Sequence, residues 1–269
     1  MRAYTTYAQD QQARIASRGA ERLNFVLPYL QKGMSVLDVG CGPGSMTLEL
    51  AQAVAPGKVV GIDLDGPAIE KARKTAVDKG IENVSFEVQD AAALRFSDSS
   101  FDAACAASVL QWLARPAAAA REVLRVLRPG GVFAVRDRAR DGDLFGNLNP
   151  TLRRALRLYD RFSRHRGANH RFGSRVHPKL VQAGFAEVEA IGSFDPPGSN
   201  PVYFYSPFTD ARQAQEIVDL GWATVEQLAE YTAAWKTWSN DPKSFMLIAR
   251  CGAIGWKPGA ASEPVGGAA

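Results

Sequence analysis

The sequence lacks any long apolar run. None of its stretches approaches the roughly 18 apolar residues that a membrane-spanning helix needs, so no span is expected. Met1-Arg2-Ala3-Tyr4-Thr5 also lacks the apolar core of a secretion signal, which makes a cytoplasmic location the expectation. Cysteine is scarce. Cys41, Cys105 and Cys251 are odd in number and far apart in sequence, which argues against a disulfide framework. They read as reduced thiols, Cys41 in a turn and the other two as small core residues in strands. The alternative is a thiol site for a metal or arsenic, and no metal is expected. Histidine is equally scarce, and all three (His165, His170 and His177) fall in one segment. That segment is poor in acids: from Arg136 to Lys179 there are 12 Lys and Arg against 4 Asp, in a chain whose net charge is +4. Such a region suits an anionic small substrate, a membrane surface or nucleic acid, or it is simply a solvated helix face.

What is present is an alternation of apolar runs and helical periods. The 269 residues suffice for one large α/β domain or two small ones, and one domain with an elaborated cap is expected. Leu23, Val26, Leu27 and Leu30 place a helix within residues 1–32, with a break or a fresh start at Pro28. Strands are expected at Met34–Val39, Lys58–Asp63, Val84–Asp90, Phe101–Ser108 and Val132–Asp137. The intervening helices are expected at Ser45–Val54, Pro67–Lys79 and Pro116–Leu127. Strands joined by helices of that length imply right-handed crossovers and a mainly parallel sheet. The regularity ends after Asp137. An Arg-rich helix over Pro150–Arg166, a short helix over His177–Gly184, a strand over Ala186–Phe194, one or two helices within Thr209–Trp235 and a last strand over Phe245–Cys251 complete the reading. Gly259–Ala269 reads as a disordered tail.

The most informative segment is Val36-Leu37-Asp38-Val39-Gly40-Cys41-Gly42-Pro43-Gly44. An apolar strand runs into three alternating glycines, where a ligand can lie against bare backbone. In a parallel sheet the ligand sits beyond the carboxyl ends of the strands, and the turns after the first four strands all open there. Gly40, Gly42 and Gly44 offer close approach. Asp63 can accept hydrogen bonds from both hydroxyls of a ribose. Asp90 can accept from an adenine amino group, the Ala91 N–H can donate to a ring nitrogen, and Leu64 and Leu94 can sandwich the base. A dinucleotide site would need G-x-G-x-x-G. The spacing here is G-x-G-x-G with Pro43 inside, which favours S-adenosylmethionine over a nicotinamide cofactor.

The segments VLDVGCGPG, VVGIDLD, FEVQDAAAL, FDAACAASVLQWL and VLRPGG, in that order over about 100 residues, resemble a class I S-adenosylmethionine-dependent methyltransferase of the ubiquinone/menaquinone-biosynthesis-like subgroup. HRFGSRVHPKLVQAGF, AWKTWSNDPKSF and GAIGWKP resemble, less specifically, the cap and tail of its small-molecule members. The resemblance implies a Rossmann-like doubly wound seven-stranded sheet, order 3-2-1-4-5-7-6 with the last strand antiparallel. It implies a helical cap at 1–32, a methyltransferase domain at 33–258 carrying a cap insertion at about 138–184, and a tail at 259–269. It sets Gly40 and Gly42 against the methionine part of the cofactor, Asp63 on the ribose, Asp90 and Ala91 at the adenine, and Ser108 backbone near the methionine. Gln111 and Trp112 would face the acceptor. Tyr4, Tyr7 and Arg22 are candidates for closing over the cofactor.

Methyl transfer from a sulfonium is an in-line displacement that requires alignment and exclusion of water. A base is needed only for a protonated nucleophile, and His170 is the candidate, with surface placement as its alternative. Arg153, Arg157, Arg161 and Arg164 share one helical face, which is solvated, faces an anionic acceptor or contacts nucleic acid. Tyr203 and Tyr205, in a Pro- and aromatic-rich loop, are candidates for the acceptor pocket or else for packing. Base-methylating enzymes often carry an N/D-P-P-Y/F-type tetrapeptide after the fourth strand, whereas Ser108-Val109-Leu110-Gln111 stands there, so nucleic acid is not expected as a partner. The reading is a methyltransferase for a small organic acceptor of secondary or quinone-like metabolism, with a homodimer as a further expectation. The alternatives are a non-catalytic S-adenosylmethionine-binding regulatory or scaffold protein and, third, an RNA methyltransferase.

Overall fold

The computed structural model describes residues 23–195 and 202–259. Tyr4, Tyr7, Arg22 and most of the tail lie outside the described residues. The strands are β1 Val36–Val39, β2 Val59–Asp63, β3 Val84–Val88, β4 Phe101–Ala107, β5 Leu127–Arg138, β6 Leu144–Phe145, β7 Glu187–Asp195 and β8 Met246–Trp256. The α-helices are α1 Ser45–Val54, α2 Gly66–Asp78, α3 Pro116–Val126, α4 Pro150–His165, α5 Val176–Ala183, α6 Val202–Thr209, α7 Ala211–Asp219 and α8 Val225–Asn240. The sheet has eight strands in the order β3-β2-β1-β4-β5-β8-β6, with β7 pairing β8 off this path. The expected seven-stranded Rossmann-like order is therefore present, with β7 and β8 as its sixth and seventh strands. The addition is β6, which pairs antiparallel with β8 through Leu144↔Leu247 and Phe145↔Met246. Two residues are too few to show a period of two in sequence.

The chain divides into two compact units. The first comprises residues 1–137, 174–191 and 252–269, and the second 138–173 and 192–251. The second thus takes in 192–251 as well as much of the insertion expected at 138–184. In the first unit, β1 pairs parallel with β2 and β4, in register Val39↔Ile62 and Val39↔Ala106, and all four β1 residues are buried. Small residues Ala103, Ala104, Cys105 and Ala106 in β4 are fully buried between helix layers. Val36, Leu50, Ala51, Val54, Val59 and Val132 form one core cluster, joined by Leu23 and Val26. Pro28 starts only a 3-10 turn over Leu27–Tyr29, so the helix expected through residue 32 does not continue there. Asp65 caps α2, its Oδ1 accepting from Ala68 N at 3.4 Å, and Gly184 ends α5 in the left-handed region, which lacks a Cβ penalty only for glycine.

The second unit has its own core. Leu152, Leu156, Tyr159 and Phe162 on α4 pack with Phe204 and Phe208 on α6 and with Leu228, Tyr231, Trp235 and Trp238 on α8. The stretch expected as an aromatic loop after Asp195 is helical from Val202, Pro207 included. Phe204 and Phe208, four residues apart, lie on one helical face, and their burial favours the helix over the loop. Asn149 caps α4 and Thr224 forms a capping box with Gln227 on α8. No described helix is long and apolar enough to cross a membrane.

Candidate functional site

The glycine turn leaves β1 at the carboxyl edge of the sheet. Gly40, Gly42 and Gly44 all have positive φ, at 68°, 53° and 82°. Their surroundings differ. A Cβ on Gly40 would meet Val109 at 2.5 Å, and one on Gly44 would meet Ala72 and Phe86 at 2.8 Å. A Cβ on Gly42 would meet no described atom within 4 Å. Packing alone therefore accounts for two of the three glycines, while at Gly42 the backbone faces open space.

Asp63 ends β2 beside this turn. Its Oδ2 accepts from Gly42 N at 2.9 Å and its Oδ1 from Asp65 N at 3.0 Å. Burial raises its pKa above the ordinary carboxylate range, against the opposing pull of the Asp65 and Gly42 N–H groups. The carboxylate thus fixes the glycine turn and has further lone pairs for a diol. Leu64, the next residue, is 61% exposed. After β3, Asp90 accepts from Ala92 N at 2.8 Å through Oδ1, and Arg115 Nη2 lies 3.4 Å from its Oδ2. Ala91 and Leu94 are buried, and Leu94 N donates to Glu122 Oε2 at 2.9 Å.

Ser108 follows β4 with φ 62°, a left-handed conformation uncommon for a side-chain-bearing residue. Its N–H donates to Arg136 O at 2.8 Å. Gln111 is buried, donates through Nε2 to Ser108 O at 3.4 Å, and through its N–H to Asp137 Oδ2 at 3.2 Å. Trp112 is half-buried in the same 3-10 turn, Leu110–Trp112. Carboxyl-end turns of β1, β2, β3 and β4 thus bring together Gly42, Asp63, Asp90 and Ser108 along one edge of adjacent strands.

Three contributors were not singled out from sequence. Asp38, fully buried inside β1, accepts from Thr47 Oγ1 at 2.7 Å and lies 3.6 Å from Cys105 Sγ, so it ties β1 to α1 and β4 beneath the turn. An acid inside an apolar run was its visible signal. Asp137 holds the Gln111 backbone, and Arg115 faces Asp90; neither had a sequence signal beyond proximity to a strand end. Burial, with Asp38 and Asp63 adding to it, pushes the Cys41 thiol well above its usual range, and Cys105 is raised likewise. Both are buried thiols that stay protonated at neutral pH.

Of the remaining candidates, His165 and His170 belong to the second unit and His177 to the first. His170 is buried, stacks on Tyr159 with centroids 5.7 Å apart, and has Nδ1 3.4 Å from the Tyr159 hydroxyl. Burial, then Arg138, Arg250 and Arg140, lowers its pKa to about 3. His165 lies 3.3 Å from Glu216, and His177 Nε2 lies 3.1 Å from Val188 O. The side chains of Tyr203 and Tyr205 lie outside the described residues.

A family profile for a methyltransferase domain matches residues 30–173. The chain belongs to the class I S-adenosylmethionine-dependent methyltransferases. The ubiquinone/menaquinone biosynthesis C-methyltransferase of Ectopseudomonas mendocina is 34% identical over 145 residues, which are 53% of this chain and 53% of that one. The chain spans between 28% and 53% of the length of the first curated relatives it matches. Among solved structures, the YcgJ protein of Bacillus subtilis is similar in fold, with a TM-score of 0.63, 22% identity, and coverage of 89% of this chain and 99% of that one. The cyclase SpnF has a TM-score of 0.56 at 26% identity, covering 94% of this chain and 83% of that one.

S-adenosylmethionine is the cofactor of this methyltransferase family, and the residues at the edge fit it. Gly42 offers a cradle that a Cβ would fill, and acceptor carboxylates stand at the ends of β2 and β3.

Proposed function

We propose that this methyltransferase passes a methyl group from S-adenosylmethionine to a small organic acceptor of secondary or quinone-like metabolism. The observation that carries the reading is the pairing of Gly42, facing open space, with Asp63, whose carboxylate is held by the Gly42 N–H at 2.9 Å. Gly42 would meet the methionine part, Asp63 the ribose hydroxyls, and Asp90 with the Ala91 N–H the adenine. Ser108 would offer backbone, and Leu64 would lie over the base. When bound, the cofactor supplies an electrophilic methyl on a sulfonium.

The chain's own work is to orient and to exclude water. Gln111 and Trp112, in the turn anchored by Asp137, are the proposed acceptor-facing residues. His170 is neutral at pH 7 and so able to accept a proton. A pKa of about 3 gives it little driving force as a base. Alignment, more than proton removal, carries the proposed transfer.

The test is incubation of the full chain with methyl-tritiated cofactor and a panel of phenolic, quinol and carboxylate acceptors. Label transferred to an acceptor of this kind is expected. Cofactor binding with no transfer to any of them would favour the second reading, a cofactor-binding protein without methyl transfer. The likeness to SpnF, named as a cyclase, gives that reading its own support, because one fold hosts several chemistries.

A further inference from the structure

Helix α4 segregates its residues sharply. Leu152, Ala155, Leu156, Tyr159 and Phe162 are buried in the core of the second unit. Arg153, Arg154, Arg157, Arg161 and Arg164 are all exposed. At 100° per residue these five fall within an arc of about 100°, and Arg153, Arg157 and Arg161 follow one another at about 6 Å along the axis. Of the five, only Arg154 has a carboxylate within 4.0 Å among the described residues, Glu230 at 3.8 Å. The Arg161 guanidinium lies 3.9 Å over the Trp222 ring. Trp222 belongs to the connection between α7 and α8; Leu220 in that connection is 38% exposed, and Val225, the first residue of α8, is 63% exposed.

A solvated helix face needs none of these neighbours. It would mix charges of both signs, as i,i+4 pairs do, whereas this row is of one sign. Nucleic acid would account for the arginines, but would leave exposed Leu220 and Val225 beside Trp222 without a use. An anionic bilayer accounts for both: guanidinium groups pair with headgroup phosphates, and the exposed Leu220 and Val225 partition into the interface, while half-buried Trp222 packs on the core of the second unit and against Arg161.

We propose that the arginine row of α4, with exposed Leu220 and Val225, docks the protein on an anionic lipid surface. The charge complementarity is carried by Arg153, Arg157, Arg161 and Arg164, which have no carboxylate within 4.0 Å among the described residues, and the apolar contribution by exposed Leu220 and Val225 on either side of Trp222 in sequence. This surface is independent of which acceptor is methylated. Each basic residue near an anionic membrane raises partitioning about 5-fold, so loss of three lowers it about 100-fold.

The experiment is co-sedimentation of the full chain with vesicles of phosphatidylcholine containing phosphatidylglycerol, compared with phosphatidylcholine alone. Binding to the mixed vesicles only is expected, weakening as salt rises and the Debye length shortens. The triple variant Arg153→Glu, Arg157→Glu, Arg164→Glu should lose at least about 100-fold in partitioning, while Arg→Lys at the same positions should retain most of it. Leu220→Ser with Val225→Ser should reduce the salt-resistant remainder. Far-UV circular dichroism confirms that each variant is folded. Equal vesicle binding by the Glu variant, no binding by the parent, or tighter binding to RNA than to the anionic vesicles overturns the proposal.

Discussion

Gly42 and Gly40 stand two residues apart in one turn, and the structure separates what each does. Both have positive φ, so alanine at either costs about 1–2 kcal/mol in backbone strain. At Gly40 the new Cβ also collides with Val109, at Gly42 with nothing described. Gly40→Ala should therefore lower the melting temperature more than Gly42→Ala, and Gly42→Ala should weaken cofactor binding by more than it destabilises the fold. Thermal melts and calorimetric titration measure the two effects; equal melts with equal affinities would contradict the separation. His170 makes a second residue-scale case. Its folded pKa of about 3 lies below the ordinary 6.5. Between those values the unfolded chain binds a proton that the native chain does not, so stability falls as pH falls. From pH 7 to pH 5 the loss from this one group is about 2 kcal/mol. In urea unfolding, His170→Asn should show a correspondingly flatter pH dependence; a slope equal to that of the parent would contradict the burial argument. Residue by residue, Asp63 and the glycine turn were legible because their chemistry follows strand ends. The Arg115–Asp90 contact was not, because a 25-residue separation carries no local period.

At the scale of elements, β1 to β4 and α1 to α3 were readable because each has a period or a cap that names it. β6 and α6 were not. β6 is two residues long, and α6 carries Pro207 and a run of aromatics that reads as a loop until Phe204 and Phe208 find a core. The connection from β5 to α4 is held by an ionic group instead. Asp143, whose side chain is fully buried, accepts from Arg138 at 2.7 Å, from Arg140 at 3.0 Å and from Ala249 N at 2.9 Å. Arg138 in turn lies 5.0 Å over the Phe204 ring. Removing the shared carboxylate leaves two guanidinium groups in a largely dry environment without it. Asp143→Ala should therefore cost about 3–5 kcal/mol, the scale for breaking a buried ion pair. Chemical denaturation checks this, and a loss under 1 kcal/mol would show that water reaches the group.

At the scale of the whole molecule, composition located the charge before the structure located its face. The segment from Arg136 to Lys179 holds 12 of the chain's 32 Lys and Arg. The structure divides them by burial: Arg138 and Arg140 hold the interior of the second unit, whereas the α4 row faces outward. The parallel half of the sheet was legible as a whole, because alternating strands and helices admit few topologies. The extent of the second unit was not, since it draws on 138–173 and 192–251, two stretches far apart in sequence. The proposed cofactor site lies in the first unit, where the turns after β1 and β2 meet around Asp63. Calorimetric titration of the full chain with S-adenosylhomocysteine, beside Asp63→Ala, tests it most directly. The parent should bind, and the variant should bind about 1–3 kcal/mol more weakly, the scale for a lost buried acceptor. No binding by the parent, or the same Kd in both, would contradict the account.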